Sequence, residues 1–224
     1  MSIFKPVTQA LFDMDGLLLD TESIYTEVTQ SIVSRFGKTF DWSLKANMIG
    51  RSSKESSKYL VKALELPISG DEYLEERDSL LRKRFPSAKA LPGAEALIRH
   101  LHKNNIPIAV ATSSTLDLFK LKIIAHEEWF NLFDEVITSD HAEVTRAKPA
   151  PDIFLVAAKK LGGKAESSLV FEDAPAGLEA GVSAGMQVIA VPDTNMDVSR
   201  YSTAAQVLSS LTAFKPEVFD LPAM

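Results

Sequence analysis

The sequence predicts an α/β protein, a parallel sheet covered by helices on both faces and interrupted early by an all-helical insert. Three observations predict it. From Leu91 onward, short and nearly unbroken apolar runs alternate with amphipathic stretches of about ten residues, the pattern of βαβ units. Each apolar run stops at a polar cluster rather than alternating with polar residues, so each reads as a strand buried on both faces. Between Asp20 and about Phe85 the texture is helical and holds no convincing strand. The predicted division is therefore a sheet-containing body at residues 1–19 and 89–224, with the insert at 20–88.

In chain order, Gln9-Ala10-Leu11-Phe12 is the first strand, and Asp13-Met14-Asp15-Gly16 opens a loop at its C-terminal end. In the insert, Ile24, Val28, Ile32 and Phe36 recur every four residues along one helix face. Further helices are expected around Ser53 to Leu64 and Asp71 to Arg84. Pro92 suits the first turn of a helix whose apolar positions are Ala94, Leu97, Ile98 and Leu101. Ile106 to Thr112 is the next strand, followed by a helix over Leu116 to Ile124 and a strand at Val136 to Thr138. A helix near Pro151 carries Ile153, Phe154, Ala157 and Leu161. Then come a strand at Ser168 to Phe171, a small-residue helix at Ala176 to Ala184, and a strand at Gln187 to Val191.

Composition narrows the function. The chain has 224 residues, 46% hydrophobic and 24% charged, which suits a folded domain with a smaller insert. No apolar run approaches the roughly 20 residues of a membrane span. Met1 to Val7 lacks an apolar segment, so a secretory signal is not expected. Zero cysteines exclude disulfides, thiolate zinc sites and cysteine nucleophiles. A net charge of −6 without a basic stripe argues against nucleic acid. A cytoplasmic monomer without a membrane or nucleic-acid partner is expected.

In open α/β sheets, ligands sit outside the carboxyl ends of the strands. The residues that follow the apolar runs are Asp13 and Asp15, then Thr112 and Ser113, then Glu172 and Asp173, with Lys148 in a loop before a helix. Separate segments thus deliver several carboxylates, hydroxyls and a lysine to one edge. Clustered carboxylates are costly unless a cation lies between them, and an all-oxygen set suits magnesium.

These residues, in this order, make the chain similar to the haloacid dehalogenase-like phosphatases, and the helical insert looks like the cap of that superfamily's first cap class. The fold implied is a Rossmann-like core with an inserted helical cap. At a finer level the chain resembles the pseudouridine-5′-phosphatase and glycerol-3-phosphatase-like group. The segments Phe12 to Glu22, Leu169 to Pro175 and Gly185 to Val188 carry that likeness. The resemblance implies that Asp13 is the nucleophile and Asp15 the general acid and base. Asp13 and Asp173 would hold Mg²⁺ through side chains, Asp15 through its backbone carbonyl, and Glu172 through water. Thr112, Ser113 and Lys148 would bind the phosphoryl group of a small-molecule phosphomonoester.

The substrate implied is pseudouridine 5′-phosphate, with glycerol 3-phosphate, flavin mononucleotide and sugar phosphates as alternatives. A β-phosphoglucomutase-like mutase departs from the sequence at two places: Tyr25 stands where that enzyme has a histidine, and Ser53 where its cap has an arginine. A non-catalytic relative would have lost a carboxylate or the lysine, and all are present. Arg51 and Lys54, in a basic and serine-rich turn of the insert, are candidates for substrate contact.

Overall fold

The structure, a computed structural model, describes residues 4–49 and 53–224. It divides into two compact units, Met1–Asp20 with Lys89–Met224, and Thr21–Ala88.

The larger unit is built on six parallel strands: β1 (Gln9–Phe12), β2 (Ile108–Ala111), β3 (Glu135–Ile137), β4 (Ser168–Glu172), β5 (Gln187–Ala190) and β6 (Gln206–Val207). Their spatial order is β3-β2-β1-β4-β5-β6. The chain winds outward from β1 in one direction through β2 and β3, and in the other from β4 to β6. The order therefore reverses beside β1, where an α/β sheet forms its crevice. The central strands β1, β2 and β4 are buried at every position, as continuous apolar runs require. Phe12 and Phe171 stack across β1 and β4, ring centroids 4.6 Å apart, and both are fully buried. Burial of each such ring contributes about 1.5–3 kcal/mol.

The loop after β1 is tightly wound. Gly16 has φ +78°, its N–H donates to the Leu19 carbonyl, and the Leu18 and Leu19 N–H groups both donate to the Met14 carbonyl. Met14, Leu17, Leu18 and Leu19 are buried as a result. Asp20 N–H then bonds the Lys89 carbonyl and Leu91 N–H the Leu18 carbonyl, so the departing and returning chains lie side by side.

The smaller unit is entirely helical among its described residues: α1 (Thr21–Ser34), α2 (Trp42–Met48), α3 (Ser53–Leu64) and α4 (Gly70–Arg84). Ile24, Val28 and Ile32 pack inward from α1, with Leu60 from α3 and Tyr73 and Leu81 from α4. The Tyr73 hydroxyl lies 3.0 Å from Thr29 Oγ1. Ser69 and Glu72 form a reciprocal capping box at the start of α4. Phe36, expected on the α1 face, lies beyond its end in a turn closed by Gly37 at φ +68°.

The remaining helices are α5 (Ala94–Lys103), α6 (Leu116–Ile123), α7 (Glu127–Phe130), α8 (Asp152–Lys160) and α9 (Pro175–Ser183). Pro92 does not start α5. Gly93 intervenes as its cap at φ +87°, where a Cβ would meet the Thr212 backbone nitrogen at 2.7 Å. Among the described residues, no helix is long and apolar enough to cross a membrane.

Candidate active site

Parallel strands bring their carboxyl ends to one edge, and the register sets which residues stand level there. Phe12 pairs with Val110 of β2 and Phe171 of β4. One residue further on, Asp13 stands level with Ala111 and Glu172. Lys148 joins these three positions. Its ammonium donates to Asp13 Oδ1 at 2.6 Å, Glu172 Oε1 at 2.6 Å and the Ala111 carbonyl at 3.0 Å. The ammonium also lies 4.8 Å from the centroid of the Phe154 ring, on α8. Its side chain is 8% exposed, beside carboxylates equally enclosed.

The loop that carries Lys148 is tied down at its root. Asp152, at the start of α8, accepts from the Thr145 hydroxyl and from both the backbone and guanidinium of Arg146. Arg146 first, then Thr145, hold its carboxyl well below the usual carboxylate range.

Glu172 is fixed from the other side. Its Oε2 accepts the N–H groups of Asp173 and Ala174 at 3.1 and 3.2 Å. The space it occupies exists because residue 177 is glycine, where a Cβ would fall 1.8 Å from Glu172 Oε1. Tyr201 donates its hydroxyl to the Asp173 carbonyl at 2.7 Å and so holds the same turn. Asp13, Glu172 and Asp173 each offer a carboxylate oxygen, and these oxygens all lie within 4.8 Å of one another.

Burial dominates the electrostatics. It pushes Asp13 up to about 7; the Lys148 ammonium opposes this, and the Glu172 and Asp15 carboxylates add to it. Burial by itself lowers the Lys148 ammonium, yet Asp13 and Glu172 together hold it above its ordinary value.

Asp15 has a different setting. Lys122 of α6 donates to its Oδ1 at 2.6 Å, and the Ser114 hydroxyl donates to its Oδ2 at 2.9 Å. Ser114 is held in turn by its N–H, which donates to Thr112 Oγ1 at 3.0 Å. Thr112 is fully buried just beyond β2, and Ser113 beside it is exposed. Four carboxylates and two ammonium groups thus meet at this edge. The carboxyl groups outnumber the ammonium groups, and the all-oxygen donor set fits a divalent cation.

The helical unit has a cavity of its own, about 250 Å³. Tyr25, Phe40 and Met48 supply apolar wall, and Glu22, Lys45 and Arg77 polar wall. Lys45 bonds Glu22 at 2.9 Å and Thr26 at 3.0 Å. Ser53 lines this cavity, and Lys54 next to it is exposed. Arg51 lies outside the described residues.

Residues 10–191 match the family model of haloacid dehalogenase-like hydrolases. The chain belongs to that family. This hydrolase is 47% identical over 221 residues to (DL)-glycerol-3-phosphatase 2 of Arabidopsis thaliana, covering 96% of the chain and 92% of the relative. It is 46% identical over 224 residues to a probable pseudouridine-5′-phosphatase of Drosophila melanogaster, covering 99% and 97%. In fold it is similar to a haloacid dehalogenase family hydrolase of Deinococcus radiodurans, solved with phosphate and sodium, at a TM-score of 0.82 and 24% identity over 98% of this chain and 99% of that one.

The sequence gives no role to three residues of this edge: Lys122, Gly177 and Tyr201. A lysine in an amphipathic helix reads as solvent-facing, and Lys122 gives itself away only by falling three residues after Phe119 on the same buried face. Nothing in the sequence marks Gly177 or Tyr201.

Two outcomes follow. Gly177→Ala displaces the Glu172 carboxylate and weakens magnesium binding about 10- to 100-fold, read by calorimetric titration; unchanged affinity contradicts the close approach. The second concerns pH. In the metal-free protein Asp13 binds its proton more tightly folded than unfolded. Its contribution to stability is therefore full below about pH 4 and lost as pH rises through about 7. Magnesium competes with that proton, so it raises Tm more at about pH 8 than at about pH 5. Equal shifts at the two pH values contradict the raised Asp13.

Proposed function

We propose that this hydrolase is a magnesium-dependent phosphatase that cleaves pseudouridine 5′-phosphate in the cytoplasm, as a monomer, through an aspartyl-phosphate on Asp13. The observation that carries the reading is the Lys148 ammonium held against both Asp13 and Glu172 with Asp173 alongside. A dianionic phosphate approaches an anionic nucleophile only where positive charge is in place, and Lys148 together with a divalent cation held by these carboxylates would supply it.

Asp13 attacks phosphorus, and the bond to the substrate's ester oxygen breaks as Asp15, which must first take up a proton from solvent, passes it to that oxygen. A water then attacks the phosphorus of the aspartyl-phosphate and passes its proton to Asp15, which frees Asp13 and releases phosphate. Thr112, the Ser113 backbone N–H and Lys148 hold the phosphoryl oxygens. Asp13, Asp15, Glu172 and Asp173 are the residues that would hold Mg²⁺. The ion, when bound, neutralises phosphoryl and carboxylate oxygens together.

The 46% identity to the probable pseudouridine-5′-phosphatase of Drosophila melanogaster supports pseudouridine 5′-phosphate as the substrate. Glycerol 3-phosphate is the second reading, favoured by the 47% identity to the plant glycerol-3-phosphatase. Arg51 and Lys54 remain candidates for substrate contact.

The test is phosphate release, with and without magnesium, from pseudouridine 5′-phosphate, uridine 5′-phosphate, glycerol 3-phosphate, flavin mononucleotide and hexose phosphates. Pseudouridine 5′-phosphate is expected to exceed the rest by at least about tenfold in kcat/KM, about 1.4 kcal/mol in transition-state binding. Asp13→Asn is expected to lose at least about a thousandfold on every compound. Glycerol 3-phosphate ranking first establishes the second reading, and no release from any of them overturns the phosphatase.

A further inference from the structure

Lys122 has no part in the reaction as described, yet it is among the most enclosed charges in the protein, with a side chain 1% exposed. Its helix, α6 (Leu116–Ile123), turns Phe119 and Lys122 inward and leaves Leu116 45% exposed. A buried ammonium costs several kcal/mol of lost hydration, and an apolar side chain would serve the packing better at that position. What the lysine obtains there is Asp15. Its Nζ donates to Asp15 Oδ1 at 2.6 Å and to Ser114 Oγ at 2.8 Å, while Ser114 Oγ donates to Asp15 Oδ2 at 2.9 Å.

The three groups close a ring. Both carboxylate oxygens are held, one by the ammonium and one by the hydroxyl, and the two holders are bonded to each other. Two attachment points fix the plane of a carboxylate, which one leaves free to turn. The ring is anchored at both ends: Lys122 by the packing of α6, and Ser114 through its N–H on Thr112 Oγ1 and its carbonyl, which accepts from the Ser139 N–H.

We propose that Lys122, with Ser114, is a positioning residue for Asp15, holding its carboxylate in the one orientation from which it serves both the leaving oxygen and the attacking water. The inference rests on the acid and base role assigned to Asp15. Lys122 acts through that carboxylate and touches no substrate atom. A proton transfer depends steeply on geometry, and a misplacement of about 1 Å costs as much as a hundredfold in rate.

The test is a double-variant cycle with p-nitrophenyl phosphate and magnesium. Nitrophenolate departs without needing a proton, so the cycle reads the water step, in which Asp15 is the base. Lys122→Met is expected to lower kcat at least about tenfold while KM moves less than about threefold. The Asp15→Asn, Lys122→Met double variant is expected to be no slower than Asp15→Asn alone, because the second change has no carboxylate left to disturb. Losses that multiply in the double variant, or a Lys122→Met enzyme within about twofold of the original, overturn the proposal. Full turnover in Asp15→Asn overturns the acid–base reading itself, and the proposal with it. Should Lys122→Met fail to fold, Ser114→Ala carries the same cycle, since it frees Oδ2 without unpairing a charge. Its expected loss is about three- to tenfold, and it too should vanish in the Asp15→Asn background.

Discussion

The Lys148 ammonium lies across three adjacent strands at one level, and the rest of the site depends on that contact. Asp13 and Glu172 are buried side by side, an arrangement that mutual repulsion and lost hydration would forbid without a cation between them. The contact needs β1 flanked by β2 and β4, so that Asp13, Ala111 and Glu172 fall in line. It needs the Asp152 clamp, which tethers the Lys148 loop to α8. It also needs a glycine at 177, without which the Glu172 carboxylate has no room. One ammonium thereby turns the crossover order of a sheet into a chemical site.

Asp13 and Asp15 are separated by one residue and live in different surroundings. Asp13 shares Lys148 with a second carboxylate inside the fold, and burial holds its proton up to about 7. Asp15 is 22% exposed at its side chain and has its own lysine and hydroxyl. Two like groups with unlike partners can take unlike tasks, one as nucleophile and the other in proton transfer. The glycine at 16 makes the division possible. It turns the chain at φ +78° directly after Asp15, so that the loop folds back over Met14 rather than extending β1.

The fold was legible where burial was complete. The strands β1, β2 and β4 are apolar because both of their faces are covered, and a run such as Ile108–Ala111 has few other readings. Elements that bury little left no such mark. The α2 helix has no buried residue, and β6 is two residues at the sheet edge, one of them exposed; α7 buries Trp129 and Phe130 but is a single turn, too short to show a period. At the site, Asp13, Glu172 and Asp173 stood out as polar residues placed where apolar runs end, and Lys148, in a loop before a helix, only by its order among them. Lys122 and Gly177 did not, for a common physical reason. Each is needed by a partner remote in sequence or hidden behind a helix turn, and only the folded geometry supplies that partner.

We propose that this charge cluster makes Asp13 a nucleophile toward phosphorus. The most direct measurement is acid-quenched turnover of ³²P-labelled substrate in the presence of magnesium, followed by peptide mapping of the label. A single acid-stable, hydroxylamine-labile phosphoryl group is expected on the peptide containing Asp13, and none in Asp13→Asn. Label on another residue, or full turnover with no covalent label at any quench time in an enzyme that tolerates Asp13→Asn, would contradict it.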